Sequence, residues 1–249
     1  ITTITTITTL YRYMSTKENV YDLTVDGKQV RRSNLNDILF SGGTTPTASF
    51  DASANTLFLN GVDISGNISS NLPNLTVQFA GTNKINTEAQ SSYPYNAADN
   101  AILSSNSSAT LTIEKSGTGT STLELDGKDT PKSAVAGFAS VSYGNGCYLK
   151  TDVPTNYSTD DKCYVNFANG NALVDVVTIS SDICYPLWIG TSTITASQVT
   201  TTGISTGVTF TPATADTSSK LTLNGATLNA KILSALGDLV IDVSGTNTI

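Results

Sequence analysis

Clustered acidic residues are the first candidates for chemistry in this sequence. Asp126 is followed closely by Asp129, and Asp160 directly by Asp161, so each pair could offer two carboxylates to one cation. Calcium is bound through several such oxygens, but neither segment has the spacing of an EF-hand loop. We therefore expect no cofactor other than a weakly bound calcium ion.

Acid–base catalysis would have to manage without histidine, because the chain contains none. Ser–His–Asp, Cys–His and His-ligated metal schemes are thereby excluded. Glycoside hydrolysis needs two carboxylates about 5–9.5 Å apart, for which Glu124 with Asp126 is a further candidate pair. No acidic pair lies beside the Lys or Arg cluster that a lyase acting on uronates needs. We expect a protein that is not an enzyme, with polysaccharide lyase or hydrolase as the weaker alternative.

Aromatic residues are the better candidates for recognising a ligand. Sugar rings have apolar C–H faces, against which an aromatic ring can lie while polar side chains bond the hydroxyl groups. Tyr93, Tyr95 and Asn96 belong to a Pro-containing segment that we expect to form an exposed loop. Trp188 alternates with apolar neighbours, so it should point outward from a strand. Other tyrosines that could be exposed, or partly buried at a strand edge, are Tyr143, Tyr148 and Tyr157.

Composition limits the class of partner. The net charge is −7, and the largest basic cluster is Lys28 with Arg31 and Arg32. Nucleic-acid binding relies on Lys and Arg against phosphates, so no nucleic-acid partner is expected. No run approaches the ~20 apolar residues that span a bilayer. Charged residues are only 13% of the chain, and Thr, Ser, Asn and Gly take their place, which favours short strands joined by turns. This composition suits a secreted or cell-surface protein.

Three cysteines occur, each followed by tyrosine: Cys147, Cys163 and Cys184. An odd number cannot form a fully paired disulfide framework. We expect small buried residues, with one disulfide between neighbours as the alternative. Metal binding by these cysteines is not expected, because His and Cys-x-x-Cys pairs are both missing.

A long internal repeat organises the chain. Three blocks recur in the same order, each displaced by 164 positions. Repeats of this kind indicate units that bury their faces against one another. The matched blocks are 21–30 with 185–194, 57–64 with 221–228, and 75–85 with 239–249.

The repeat predicts three parts: a Thr-rich arm or linker (1–20), a first module (21–184) and the start of a second copy (185–249). The second copy matches only the first part of the first. We expect a fragment of a larger multi-module protein, whose further modules would be its partners. The alternative is a unit of about 65 residues that occurs twice around a long intervening segment.

Alternating apolar and polar residues predict an all-β fold. Leu57 alternates with Phe58 and Leu59, and Leu75, Val77 and Phe79 follow the same rule. Short strands and Asn-Gly turns favour a right-handed parallel β-helix, with a β-sandwich as the alternative. Short helices are plausible only at 33–39 and 230–236.

Part of the sequence also resembles a known family. The segments 21–30, 34–39 and 55–61, with the later stretch 101–125, resemble β-helical modules of secreted proteins from gut and cellulolytic anaerobic bacteria, which are described as carbohydrate-binding. The resemblance covers roughly 21–127 and 185–249. It implies a right-handed β-helix, an extracellular location, and polysaccharide or calcium binding. We therefore expect a surface module that binds a glycan or another cell-surface ligand; the alternative is a structural spacer or adhesin stalk.

Overall fold

A computed structural model describes residues 18–40, 47–85, 100–127, 132–144, 146–170 and 172–249. Most of the predicted Thr-rich arm lies outside these ranges. Strands take 51% of the chain and helices 4%, so the expected all-β class is confirmed. Within the described ranges, no helical segment has the length and hydrophobicity needed to cross a bilayer.

The first eighteen strands form three sheets, and we call them the first unit. A single 3₁₀ turn, Arg32–Asn34, follows the second strand. In chain order the strands are β1 (Val20–Val25), β2 (Lys28–Arg31), β3 (Ala48–Asp51), β4 (Thr56–Asn60), β5 (Asp63–Ile64), β6 (Ile68–Ser70), β7 (Asn74–Ala80), β8 (Thr82–Ile85), β9 (Ile102–Ser104), β10 (Thr110–Lys115), β11 (Thr122–Asp126), β12 (Val135–Ala136), β13 (Ser140–Tyr143), β14 (Tyr148–Lys150), β15 (Thr155–Ser158), β16 (Cys163–Asn166), β17 (Ala172–Leu173) and β18 (Val176–Ser180).

From β4 to β13, successive strands belong to the three sheets in a fixed order. Each strand pairs in parallel with the strand three places earlier: β7 with β4, β8 with β5, β9 with β6, and so on to β13 with β10. Three consecutive strands therefore make one coil, which lies in register on the coil before it.

The core consists of aliphatic rows that run across these coils. Leu57, Val77 and Ile113 are opposite one another in one sheet and all are fully buried. Strand side chains alternate between faces, so the intervening residues point outward. Each buried aliphatic side chain contributes about 1.5–3 kcal/mol, and the rows hold adjacent coils together. The predicted alternation of Leu57 with Leu59, and of Leu75, Val77 and Phe79, is confirmed.

Antiparallel strands lie at both ends of the coils. At the start, β3 pairs with β4, and the β1–β2 hairpin pairs with β6. At the far end, β18 is inserted antiparallel between β11 and β14, and β16 pairs antiparallel with β12. At each end of the parallel coils, two of the three sheets thus carry strands of opposite direction.

A buried asparagine joins neighbouring turns of the first unit. The side-chain oxygen of Asn83 accepts the backbone N–H of Val62 at 3.0 Å, and its amide N–H groups donate to carbonyls of Ala80 and Thr122. Asn83 is fully buried, so its donors and acceptor satisfy backbone groups that would otherwise be costly to bury.

The last six strands, which we call the second unit, repeat the pairing of the first. β19 pairs with β20, and Trp188 is opposite Thr193 as Thr24 is opposite Gln29 in the first unit. Position by position, these pairs are 164 residues apart. A π-helical segment, Gln198–Thr202, follows β20. The strands are β19 (Cys184–Ile189), β20 (Ser192–Thr195), β21 (Val208–Thr211), β22 (Ser219–Asn224), β23 (Ile232–Ser234) and β24 (Leu239–Ser244).

The second unit has a hydrophobic core of its own, built around Leu187, Phe210 and Leu221. One sequence expectation is wrong here, because the predicted helical segment 230–236 contains strand β23. β23 pairs antiparallel with β19 through Leu187↔Ser234, as β6 pairs with β1 through Leu23↔Ser70. This long-range pairing decides the conformation, whereas local propensity does not. At the other predicted segment, 33–39, helical structure is limited to the 3₁₀ turn.

Candidate functional site

The two units meet where β14 of the first approaches β19 of the second. Thr151 lies at the centre of this contact. Its backbone N–H donates to Thr193 Oγ1 at 3.2 Å, and its carbonyl accepts both the Thr193 hydroxyl and the Trp188 indole N–H, the latter at 3.0 Å. All three residues are buried, so these hydrogen bonds are shielded from water and fix the position of one unit on the other.

The β19–β20 hairpin places Trp188 and Thr193 side by side. Gly190 occupies the turn at φ +66°, a backbone conformation that L side chains rarely adopt. The pairing register shifts between Tyr185 and Trp188, next to Pro186. A proline cannot donate to the strand ladder, and the regular pairing resumes at Trp188↔Thr193.

A cleft of about 260 Å³ opens at this contact, and we call it the joint cleft. Tyr148 and Tyr185 are partly exposed, while Trp188 is only 5% exposed. Its lining residues are Cys147, Tyr148, Leu149, Thr151, Thr155, Cys184, Tyr185, Pro186, Trp188 and Thr193.

The hydroxyl groups in the joint cleft are oriented by the protein. The Thr155 and Thr151 hydroxyls both donate to the carbonyl of Val153, at 2.8 and 2.7 Å. A hydroxyl that donates inward keeps lone pairs that can accept from a ligand hydroxyl. The cleft therefore combines aromatic surface with fixed hydrogen-bond acceptors.

Burial makes the ionisable groups of the cleft harder to ionise. It raises the pKa of Tyr185, and the Asp182 carboxylate raises it further. It also raises the pKa of Cys184 to about 11, again with a contribution from Asp182, whose carbonyl accepts the thiol at 3.4 Å. Because neutral thiol and phenol are favoured, the cleft near neutral pH offers hydrogen bonds and apolar surface.

Cys184 provides a test of this environment. A rise in the thiol pKa from 9.0 to about 11 leaves about 100-fold less thiolate at pH 8. The thiolate of the higher-pKa thiol is intrinsically more nucleophilic, which offsets about tenfold of that loss in rate. We expect Cys184 to react with an aromatic disulfide reagent about tenfold more slowly than in the urea-unfolded chain, and its rate to rise until pH 11. The stabilisation from keeping this thiol neutral is complete below pH 9 and is lost as pH rises through 11.

The Cys184→Ser variant supplies the control, because its reaction rate measures the background from the other two thiols. A Cys184 rate that levels off near pH 9 would contradict the expected environment. All three cysteines are free thiols. Cys147 and Cys163 are buried, as expected, whereas the same expectation is wrong for Cys184, which is partly exposed.

Trp188 is on the predicted face of its strand, but the expectation that it is exposed is wrong. Leu187 points into the core of the second unit, and Trp188 points to the opposite side. That side is covered by Thr151 of the first unit. Alternation gave the direction of the side chain, and the neighbouring unit, which alternation cannot reveal, determines its burial.

Two of the candidate tyrosines belong to a buried cluster in the first unit. The Tyr143 and Tyr164 hydroxyls are hydrogen-bonded to each other, and the Tyr157 ring meets Tyr164 edge-on at 5.4 Å. The Tyr157 hydroxyl donates to the carbonyl of Phe138. Burial raises the pKa of Tyr143 and Tyr157. These two tyrosines are partly buried structural residues, and Tyr148 is the one in the joint cleft.

The other predicted residues belong to several parts of the chain. Tyr93, Tyr95, Asn96 and Asp129 lie outside the described residues. Asp126 ends β11, whereas Asp160 and Asp161 lie in the turn before β16, where Asp161 accepts the Ser158 hydroxyl at 2.8 Å. In the described part of the chain, no group of three or more acidic or cysteine side chains is arranged to hold a metal ion.

Sequence reasoning missed Tyr185, Thr151 and Thr193. The recurring Cys-Tyr pairs were a signal for Tyr185, because two of them, 147–148 and 184–185, meet in the joint cleft. The third pair, at 163–164, lies in the first unit, where Tyr164 is fully buried. Nothing in the sequence distinguishes Thr151 and Thr193 from the many other threonines of this chain.

Comparison of this chain with known protein families, with curated proteins and with solved structures found no match. The assignment of a function therefore depends on the geometry described above.

Proposed function

We propose that this chain is a non-catalytic module, secreted or displayed at a cell surface, that binds a polysaccharide or related glycan in the joint cleft. The observation that carries the proposal is the cleft itself, which is lined by two partly exposed tyrosines, a buried tryptophan and oriented threonine hydroxyls. Ligand pockets are typically apolar and aromatic with a few placed polar groups. At about 260 Å³, the cleft suits a single sugar unit of a longer chain.

We further propose that the scaffold is a right-handed parallel β-helix. Parallel pairing of each strand with the strand three places earlier supports this architecture. The resemblance to secreted β-helical modules supports both the architecture and the extracellular location. In such a scaffold the second unit continues the stack, and the joint between units becomes a recess on its side.

The carboxylates favour binding over catalysis. Glu124 is partly exposed and lies 3.8 Å from Lys84 in an ion pair. The pKa values of Glu18 and Asp51 are lowered, chiefly by hydrogen bonds from serine, and both side chains lie at the surface. A general acid in glycoside hydrolysis needs the opposite, a raised pKa.

Glycan binding can be tested directly, because Trp188 is the only tryptophan and lines the cleft. We expect a glycan array to identify one class of polysaccharide, and titration with that glycan to change the Trp188 fluorescence. Tyr185→Ala should weaken binding by about tenfold or more, which corresponds to about 1.4 kcal/mol. Parallel measurements with calcium and with a chelator test the weak calcium binding expected from the sequence.

Tyr21→Ala is the matched control. Tyr21 occupies the position in the first unit that Tyr185 occupies in the second, and each ring packs edge-on against a phenylalanine at 5.6 and 5.2 Å respectively. Tyr21 does not line the joint cleft. Equal losses from both substitutions would show that the effect is structural and would remove the support for the cleft.

A structural spacer or adhesin stalk is the second candidate, and the outward face of one sheet favours it. Thr76, Thr112 and Ser142 are aligned across successive strands, and the last two share a hydrogen bond at 3.1 Å. This polar hydroxyl row resembles a solvated wall. An array without any bound glycan, with and without calcium, would favour the spacer.

A further inference from the structure

Strand β24 has an open edge. It pairs in parallel with β22 on one side, and no strand of the described ranges pairs with its other side. An unpaired strand edge presents free backbone donors and acceptors to any chain that can extend the sheet.

The inward side chains of β24 are exposed together with this edge. Ile241 is 51% exposed and Val243 is 60% exposed. Both are large aliphatic residues on the face that closes the core elsewhere in the fold. Exposing them costs solvation free energy that a covering segment would recover.

The first unit shows what covers this position. Val77 and Phe79 of β7 are the counterparts of Ile241 and Val243, 164 positions earlier, and both are fully buried. They are covered by β10, which pairs with β7 in parallel from Thr110↔Asn74 to Lys115↔Phe79. Leu111 and Ile113 of β10 point into the same core.

A second sheet shows the same difference in burial between the two units. Ile85 is fully buried, and Leu125 of β11 is its partner in the ladder. Its counterpart in the second unit, Ile249, is 64% exposed. We use the name open end for the exposed surface formed by Ile241, Val243 and Ile249. Its residues correspond to residues of two of the three sheets in the first unit.

We infer that the open end is an acceptor surface for one further polypeptide coil of the kind formed by β9, β10 and β11. The occupant adds a strand parallel to β24 in the register of β10 on β7, with aliphatic residues at the positions of Leu111 and Ile113. Strand addition to a sheet edge gains backbone hydrogen bonds, and pockets for alternate side chains select the sequence.

The outward row adds a charge preference. In the first unit, Gln78 donates to the Glu114 carboxylate at 3.0 Å. The counterpart of Gln78 is Asp242, which pairs with Lys220 at 2.6 Å. A glutamate in the occupant would face this aspartate, so the position of Glu114 should be an amide or a basic residue in the preferred strand.

The test extends the full chain. Because Ile249 corresponds to Ile85, a second copy of residues 86–183 is fused after Ile249, with the counterpart of Glu114 as Gln. We expect the backbone amides of β24 that point away from β22 to exchange with solvent deuterium at least about tenfold more slowly than in the unextended chain. The same fusion with Asp at the counterparts of Leu111 and Ile113 should give no protection.

A second variant keeps the test independent of whether the fusion folds. Ile241→Asp in the unextended chain should leave its melting temperature within about 2 °C, because the side chain is already exposed. A fall comparable to that of a core substitution would overturn the inference. It would also be overturned by unprotected β24 amides in a folded fusion, or by sedimentation showing a dimer that already covers β24.

Discussion

Replacing Phe79 with alanine should lower the free energy of unfolding by about 3–5 kcal/mol, the usual cost of truncating a buried phenylalanine. Phe79 is fully buried in β7, between β4 and β10. Adjacent coils are packed in register, so they cannot collapse into the cavity that the truncation creates. Urea unfolding followed by far-ultraviolet circular dichroism measures the change.

Val243→Ala is the control for this substitution, since Val243 holds the same position in the second unit. It is 60% exposed, so we expect a change within about 0.5 kcal/mol. The pair compares one site in the repeat with and without a covering coil. Equal losses at the two positions would contradict the described burial.

Trp188→Ala should have a similarly large effect, about 3–5 kcal/mol, but at the joint. The indole is 5% exposed, and its loss leaves the Thr151 carbonyl with fewer donors. We expect the second unit to unfold at a lower urea concentration than the first, a separation that circular dichroism and limited proteolysis can resolve. In the unchanged protein, the indole fluorescence should resist quenching by acrylamide.

Trp188→Phe separates packing from hydrogen bonding at the joint, because it keeps an aromatic ring and loses the N–H donor. We expect a smaller loss, about 1–2 kcal/mol. Thr24, the counterpart of Trp188 in the first unit, is partly exposed, so Thr24→Ala should change stability by no more than about 0.5 kcal/mol. An indole quenched as easily as free tryptophan would contradict the buried joint.

The regular parts of the fold could be predicted from the sequence because they depend on local patterns. Alternation at Leu57 and Leu59 assigns the buried face of β4 from the sequence alone. Gly-Thr precedes both Asn83 and Asn247. Each side chain donates to a backbone carbonyl three residues earlier in its own turn, Asn83 to Ala80 at 2.9 Å and Asn247 to Ser244 at 2.8 Å. Both signals act within a few residues, so no knowledge of distant partners is needed.

The rest depends on contacts between segments far apart in the chain. β23 is a strand because β19 pairs with it, over forty positions away. Trp188 is buried because Thr151 covers it, and the joint cleft exists because Tyr148 and Tyr185 are brought together from different units. Nothing in the sequence around any of these residues specifies its distant partner.

The antiparallel strands at the start of each unit have a consequence for synthesis. β1 to β3 lead the first unit and β19 to β21 lead the second, so the leading strands of each unit need no earlier parallel partner. Later strands pair with segments already made, as Thr56 pairs with Thr76. A ribosome adds about 5–20 residues per second, whereas a hairpin closes in about 1–10 μs. Each coil therefore has seconds to settle on the one before it, and the chain can fold in the order in which it is made.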